Sequence, residues 1–139
     1  MKLMMTLLKR YMLTLLTLAL ILWLTFCKPF GVEKQSLDIE VDKLVHFVMY
    51  FMLCSVFWYE SYKVTIKPKF SFMLVFAVIV PIIFSGVMEY FQYLLTSYRT
   101  GDFEDFVFNT IGVVAALFFS LSVTRPLMIK WYARKQSSK

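Results

Sequence analysis

The chain of 139 residues holds one histidine, His46, and two cysteines, Cys27 and Cys54. One histidine with several carboxylates can hold a divalent ion, but no HExxH and no cysteine pair is present, so no metal and no cofactor is expected. Cys54 falls about 10 residues into an apolar segment, about 15 Å deep at the helical rise, whereas Cys27 falls at a segment's end. That difference in depth argues against a disulfide. No soluble domain, internal repeat, low-complexity tract or nucleic-acid module is visible. A small-x-small cleavage site is missing before Lys28, and the large Phe26 does not suit a lipoprotein signal. The N-terminal apolar segment is therefore expected to stay as a helix.

What the chain has instead is apolar length. It is 60% hydrophobic and 19% aromatic, with a mean hydropathy of +0.68. Soluble domains are about 45–50% apolar. A spanning helix needs about 20 residues, and the apolar runs predict four, at about 8–27, 42–59, 70–95 and 104–123. The fold class is thus an all-α polytopic membrane protein, with residues 1–139 forming a single domain. Pro81 lies near the middle of the third helix and is expected to kink it.

The basic residues give the orientation. Lys2, Lys9 and Arg10 precede the first helix. Lys63, Lys67 and Lys69 fill the second connection. Arg125, Lys130, Arg134, Lys135 and Lys139 follow the fourth helix, and only Lys28, Lys34, Lys43 and Arg99 fall in the other two connections. The positive-inside rule puts both termini in the cytoplasm, as an even number of spans requires. The net charge of +6 then reflects topology, with the basic tail facing anionic lipid heads. Trp131 and Tyr132 in that tail suit an interfacial anchor.

The few polar residues within or beside the apolar runs obey helical spacing. Asp42, His46 and Tyr50 share one helix face. So do Ser85, Glu89, Gln92 and Thr96, and so do Asp102, Asp105, Asn109, Gly112 and Ala116. Gly112 and Ala116 are small enough to admit a neighbouring helix. In the predicted topology the three stripes meet at one level, in a pocket open to the outer side. The first helix lacks such a set, its only polar residues being Thr6, Thr14, Thr17 and Thr25, and is expected to be a packing element. Ionisable groups near lipid are costly, so a convergent set of them marks a candidate site.

At these residues the chain resembles the VanZ-like family of small membrane proteins. The first match is Asp42-Lys43-Leu44-Val45-His46-Phe47, with Tyr50 one turn on. The second is Glu89-Tyr90-Phe91-Gln92, followed by Arg99, Asp102, Asp105, Asn109 and Gly112. The resemblance covers about residues 42 to 116, and Ala116 stands where the family often carries a second glycine. It implies a role in the bacterial cell envelope, in the cytoplasmic (inner) membrane, related to resistance to the glycopeptide teicoplanin.

The residues themselves suggest the chemistry of such a role. His46 suits proton exchange near neutral pH, with Asp42 one turn away to orient it. Glu89 and Asp105 are candidate acids or bases, so His46, Glu89 and Asp105 are the catalytic candidates. Arg99 can grip a phosphate or carboxylate in a two-pronged contact, and Asn109 and Gln92 can bond a sugar or amide. With Asp42 and Asp102, these form the candidate ligand-binding set for the headgroup of a lipid-linked envelope precursor or a glycopeptide. The expected partners are that ligand and the lipid bilayer, with no nucleic acid. Plainer roles are open for each residue. Asp42 and Asp102 can cap helices, Arg99 can pair with Asp102 or Asp105, and Asn109 can bond backbone. His46 can serve packing, and Glu89 can be structural if a buried partner such as His46 or Arg99 meets it. Three function classes follow: a binder of an envelope precursor or drug, an enzyme acting on a lipid-linked headgroup, and a proton-coupled carrier. A carrier usually places its polar groups near the midplane, so it is the least favoured.

Overall fold

The computed structural model describes residues 8–26, 39–65, 67–95 and 103–137. These form four helices: α1 (Met12–Phe26), α2 (Ile39–Val64), α3 (Phe70–Leu95) and α4 (Phe103–Ser137). There is no strand among the described residues. In lipid no water satisfies the backbone, so uninterrupted helices are what such apolar runs must form. Three of the four are long and apolar enough to cross a membrane, α2 from Val41, α3 and α4, whereas α1 is shorter.

The end of α1 is close to the expected 27, but its start is interrupted. Residues 8–10 are helical, Tyr11 is a turn, and α1 resumes at Met12. The buried carboxylate of Glu60 explains the break. It accepts hydrogen bonds from the backbone N–H groups of Leu13 (3.0 Å) and Thr14 (2.9 Å) and from the Thr14 hydroxyl (2.7 Å). Those N–H groups start a helix and carry its positive dipole end, so a carboxylate there is favourable. Tertiary contact also lengthens α2 beyond the expected 42–59. Glu60, Ser61 and Tyr62 are all buried, so the chain stays helical past its apolar run.

α4 departs furthest from expectation. It was expected at 104–123 but continues to Ser137, 35 residues in all. At 1.5 Å per residue that is about 52 Å, well beyond the roughly 30 Å hydrocarbon thickness. Pro126 does not end it, because the preceding turn is widened. The Arg125 N–H bonds the Ser120 carbonyl, five residues back, across a π-helical stretch Ser120–Thr124. The same device stands before Pro81 in α3. There Val75–Ile79 is π-helical and the Val80 N–H bonds the Val75 carbonyl. A proline ring collides with the carbonyl four residues back, and a wider turn moves that carbonyl aside.

The bundle is held along α2 and α4. Gly112 faces the α2 backbone so closely that an added Cβ would collide with the Phe47 carbonyl oxygen and lie 3.1 Å from the Phe51 nitrogen. Tyr50, Cys54, Val113 and Ala116 pack beside this contact. A second apolar cluster, Trp58, Tyr62, Met73, Ala77 and Met128, lies toward the opposite end. There the Tyr132 hydroxyl donates to the Lys63 carbonyl at 2.8 Å. Tyr132, expected as an interfacial anchor, thus ties the tail of α4 to the end of α2, while Trp131 is exposed. Large apolar side chains such as Leu16, Ile83 and Phe118 cover the exposed faces, as lipid contact requires.

Candidate functional site

The helices alternate in direction, so the end of α1, the start of α2, the end of α3 and the start of α4 meet at one end of the bundle. His46 stands two turns into α2, Glu89 about two turns before the end of α3, and Asp105 and Asn109 in the first two turns of α4. Each lies on its helix's inward stripe because the opposite face is apolar. His46, Asp105 and Asn109 are buried, and Glu89 is 12% exposed at its side chain.

A hydrogen-bonded chain links three helices. The Asn109 amide nitrogen donates to Glu89 Oε1 at 3.2 Å. Asn109 Oδ1 lies 3.1 Å from His46 Nδ1. A carboxylate only accepts, so the amide nitrogen must face Glu89 and the amide oxygen must face the ring. His46 then donates from Nδ1. Its other nitrogen, Nε2, points toward Asp105, with Oδ2 at 3.6 Å. Glu89 Oε1 is also 3.7 Å from Nδ1. An imidazole held by one nitrogen, with the other directed at carboxylates, is a unit for holding a proton or a cation.

Asp42 joins the set from the turn above His46. One oxygen of Asp42, one nitrogen of His46 and one oxygen of Asp105 all lie within 4.8 Å of one another. Among the described residues, these three are grouped closely enough to hold a metal ion. At the rim, Lys43 forms an ion pair with Glu104 and lies 6.0 Å over the Phe108 ring.

Gln92 is fully buried, and its amide nitrogen donates to the Thr25 carbonyl at 3.1 Å. It thereby attaches α1 to α3 behind the cluster. Tyr50 and Ser85 lie buried one turn deeper on the stripes of His46 and Glu89. Arg99 and Asp102 lie outside the described residues, as does Cys27. The structure therefore brings together Asp42, His46, Glu89, Asp105 and Asn109, with Gln92 adjoining. Sequence reasoning assigned no site role to Thr25, Lys43 or Glu104 at this end and did not pair Thr14 with Glu60 at the other. Thr14, Leu18, Ile21 and Thr25 recur at three and four residues, and this spacing is the signal that could have found the inward face of α1, where Ile21 and Thr25 are buried. Nothing local marked Glu60 as the partner of Thr14.

No curated protein and no solved structure matches the chain. A family model described as VanZ/LLP1 matches residues 8–124, a stretch that runs from the residues before α1 into the π turn of α4 and takes in the whole polar cluster. With most of its length matched, including every residue that carries the buried hydrogen-bonded chain, this four-helix protein belongs to the VanZ/LLP1 family.

Proposed function

We propose that the protein acts in a bacterial cell envelope by binding the headgroup of a lipid-linked envelope precursor, and that this lowers susceptibility to glycopeptides such as teicoplanin. The observation that carries the reading is the convergence of His46, Glu89, Asp105 and Asn109 from three helices on one end of the bundle. Buried ionisable groups are expensive in a membrane protein, and they concentrate where an ion or polar ligand is handled. Arg99 and Asp102 belong to the same motif and complete the binding set, the guanidinium gripping phosphate. The basic residues orient the bundle with both termini in the cytoplasm, so the cluster opens to the outer side of the cytoplasmic membrane. An apolar groove lined by Leu18, Leu53, Phe57, Val80 and Phe84 supports a ligand with a hydrocarbon chain.

A second reading, an enzyme acting on the same headgroup, draws support from the fixed His46 ring, which directs Nε2 into the cluster as a general base or acid must. A proton-coupled carrier has less support, because the polar groups sit at one end of the bundle. The test compares teicoplanin susceptibility in a sensitive host carrying empty vector, wild type or Glu89→Gln at matched membrane levels. The expected result is protection by wild type; a binding site keeps much of that protection in Glu89→Gln, whereas an enzyme that needs the carboxylate loses nearly all of it. Correctly inserted wild type that gives no protection would overturn the resistance role.

A further inference from the structure

We propose that Asp42, His46 and Asp105 form a divalent-cation site, with His46 Nε2 and one oxygen from each carboxylate as the protein ligands. The proposal stands on the geometry of the side chains. Three donor atoms from two helices lie within 4.8 Å of one another. Of these, His46 Nε2 and Asp105 Oδ2 are 3.6 Å apart. Two ligands each about 2.1 Å from a common ion stand about 3.0–3.6 Å apart for angles of about 90–120°. The observed separation of 3.6 Å lies within that range.

The surroundings of the ring give an independent argument. A metal-ligating histidine characteristically donates its other N–H to an oxygen, which fixes the tautomer and the ring orientation. Asn109 does this for His46 through Nδ1, and Glu89 in turn holds Asn109. The outer support of a metal ligand is therefore in place, and it leaves Nε2 directed at Asp105. The two helices that supply the ligands are also locked in register by the Gly112 contact with the α2 backbone. A dication further offsets the cost of keeping carboxylates near lipid.

One imidazole and two carboxylate oxygens suit Zn²⁺ or Mn²⁺. Three protein ligands leave open positions, the pattern of sites that take a water or a substrate oxygen. Resting on the headgroup reading above, the open positions would accept oxygens of an anionic, phosphate-bearing headgroup. The cation site itself does not depend on that reading.

The experiment uses the full chain purified in detergent, stripped with chelator and titrated separately with Zn²⁺ and Mn²⁺. Bound metal is read by elemental analysis and calorimetry, and helicity by circular dichroism. The expected result is one ion per chain. Asp105→Asn and His46→Gln abolish binding, Asp42→Asn weakens it at least about 10-fold, and Asn109→Leu weakens it about 10- to 100-fold through the outer support. Glu104→Gln, a nearby carboxylate outside the set, leaves it unchanged. X-ray absorption of the Zn²⁺-loaded wild type gives a direct reading even if a buried variant fails to fold, and it should show one imidazole among oxygen ligands. Wild type that binds neither ion, a coordination sphere without imidazole, or binding untouched in folded Asp105→Asn would overturn the proposal. A failed metal titration leaves the susceptibility test standing, so the two readings fail separately.

Discussion

Asn109 is the residue on which the polar cluster turns, because its amide satisfies His46 with one atom and Glu89 with the other. Asn109→Leu keeps similar size but leaves both buried neighbours without this partner. Such a loss costs about 1–3 kcal/mol, more for a charged group. The expected outcome is a folded but less stable protein with lost teicoplanin protection, checked by thermal melting in detergent beside the susceptibility assay. Glu60 makes the same kind of argument at the other end. It accepts three hydrogen bonds from the start of α1, so Glu60→Ala should destabilise the protein by about 2–3 kcal/mol and expose α1 to protease. The two residues differ in how far they could be read in advance. Asn109 stands four residues after Asp105 and three before Gly112, on a stripe visible in the sequence. Glu60 lies at the polar edge of an apolar run, where a solvated end is the ordinary reading, and only the packing of α1 against α2 shows its partner.

At the scale of the helices, the approach of α4 to α2 depends on a missing side chain. A Cβ at position 112 would strike the Phe47 carbonyl, and backbone cannot move aside as a flexible side chain can. Gly112→Leu is therefore expected to separate the helices, lower the melting temperature sharply and scatter the cluster, since His46 lies on α2 and Asp105 and Asn109 on α4. Gly86→Ala is the contrast. Its added Cβ would meet only the Phe106 ring at 3.4 Å, an ordinary contact, so near-wild-type melting is expected. Helix existence was legible from the apolar runs, and so was a distortion at Pro81. The π turns were not. A widened turn satisfies a proline without ending the helix, and composition does not distinguish that outcome from a break. For the same reason the continuation of α4 past Pro126 was hidden, since its last stretch is basic and polar and is held to α2 through Tyr132.

For the whole molecule, the two ends of the bundle carry different chemistry. One end gathers Asp42, Glu89 and Asp105 around His46, with Glu104 paired to Lys43 at its rim. The other carries Lys63, Lys67 and Lys69 and the basic end of α4, where Lys135 lies 5.1 Å over the Trp131 ring. Translocating lysine and arginine is disfavoured in short connections, so the basic end should face the cytoplasm. If it does, a fluorescent protein fused after Lys139 will fold and glow, and alkaline phosphatase fused at the same point will stay inactive. The opposite pair of results would put the cluster on the cytoplasmic side. The reading as a receptor for outer-leaflet headgroups would then fail, because the groups that bind would face the wrong compartment. The cation site would survive that result, since its geometry belongs to α2 and α4 alone. The fusion pair therefore separates where the cluster faces from what it holds.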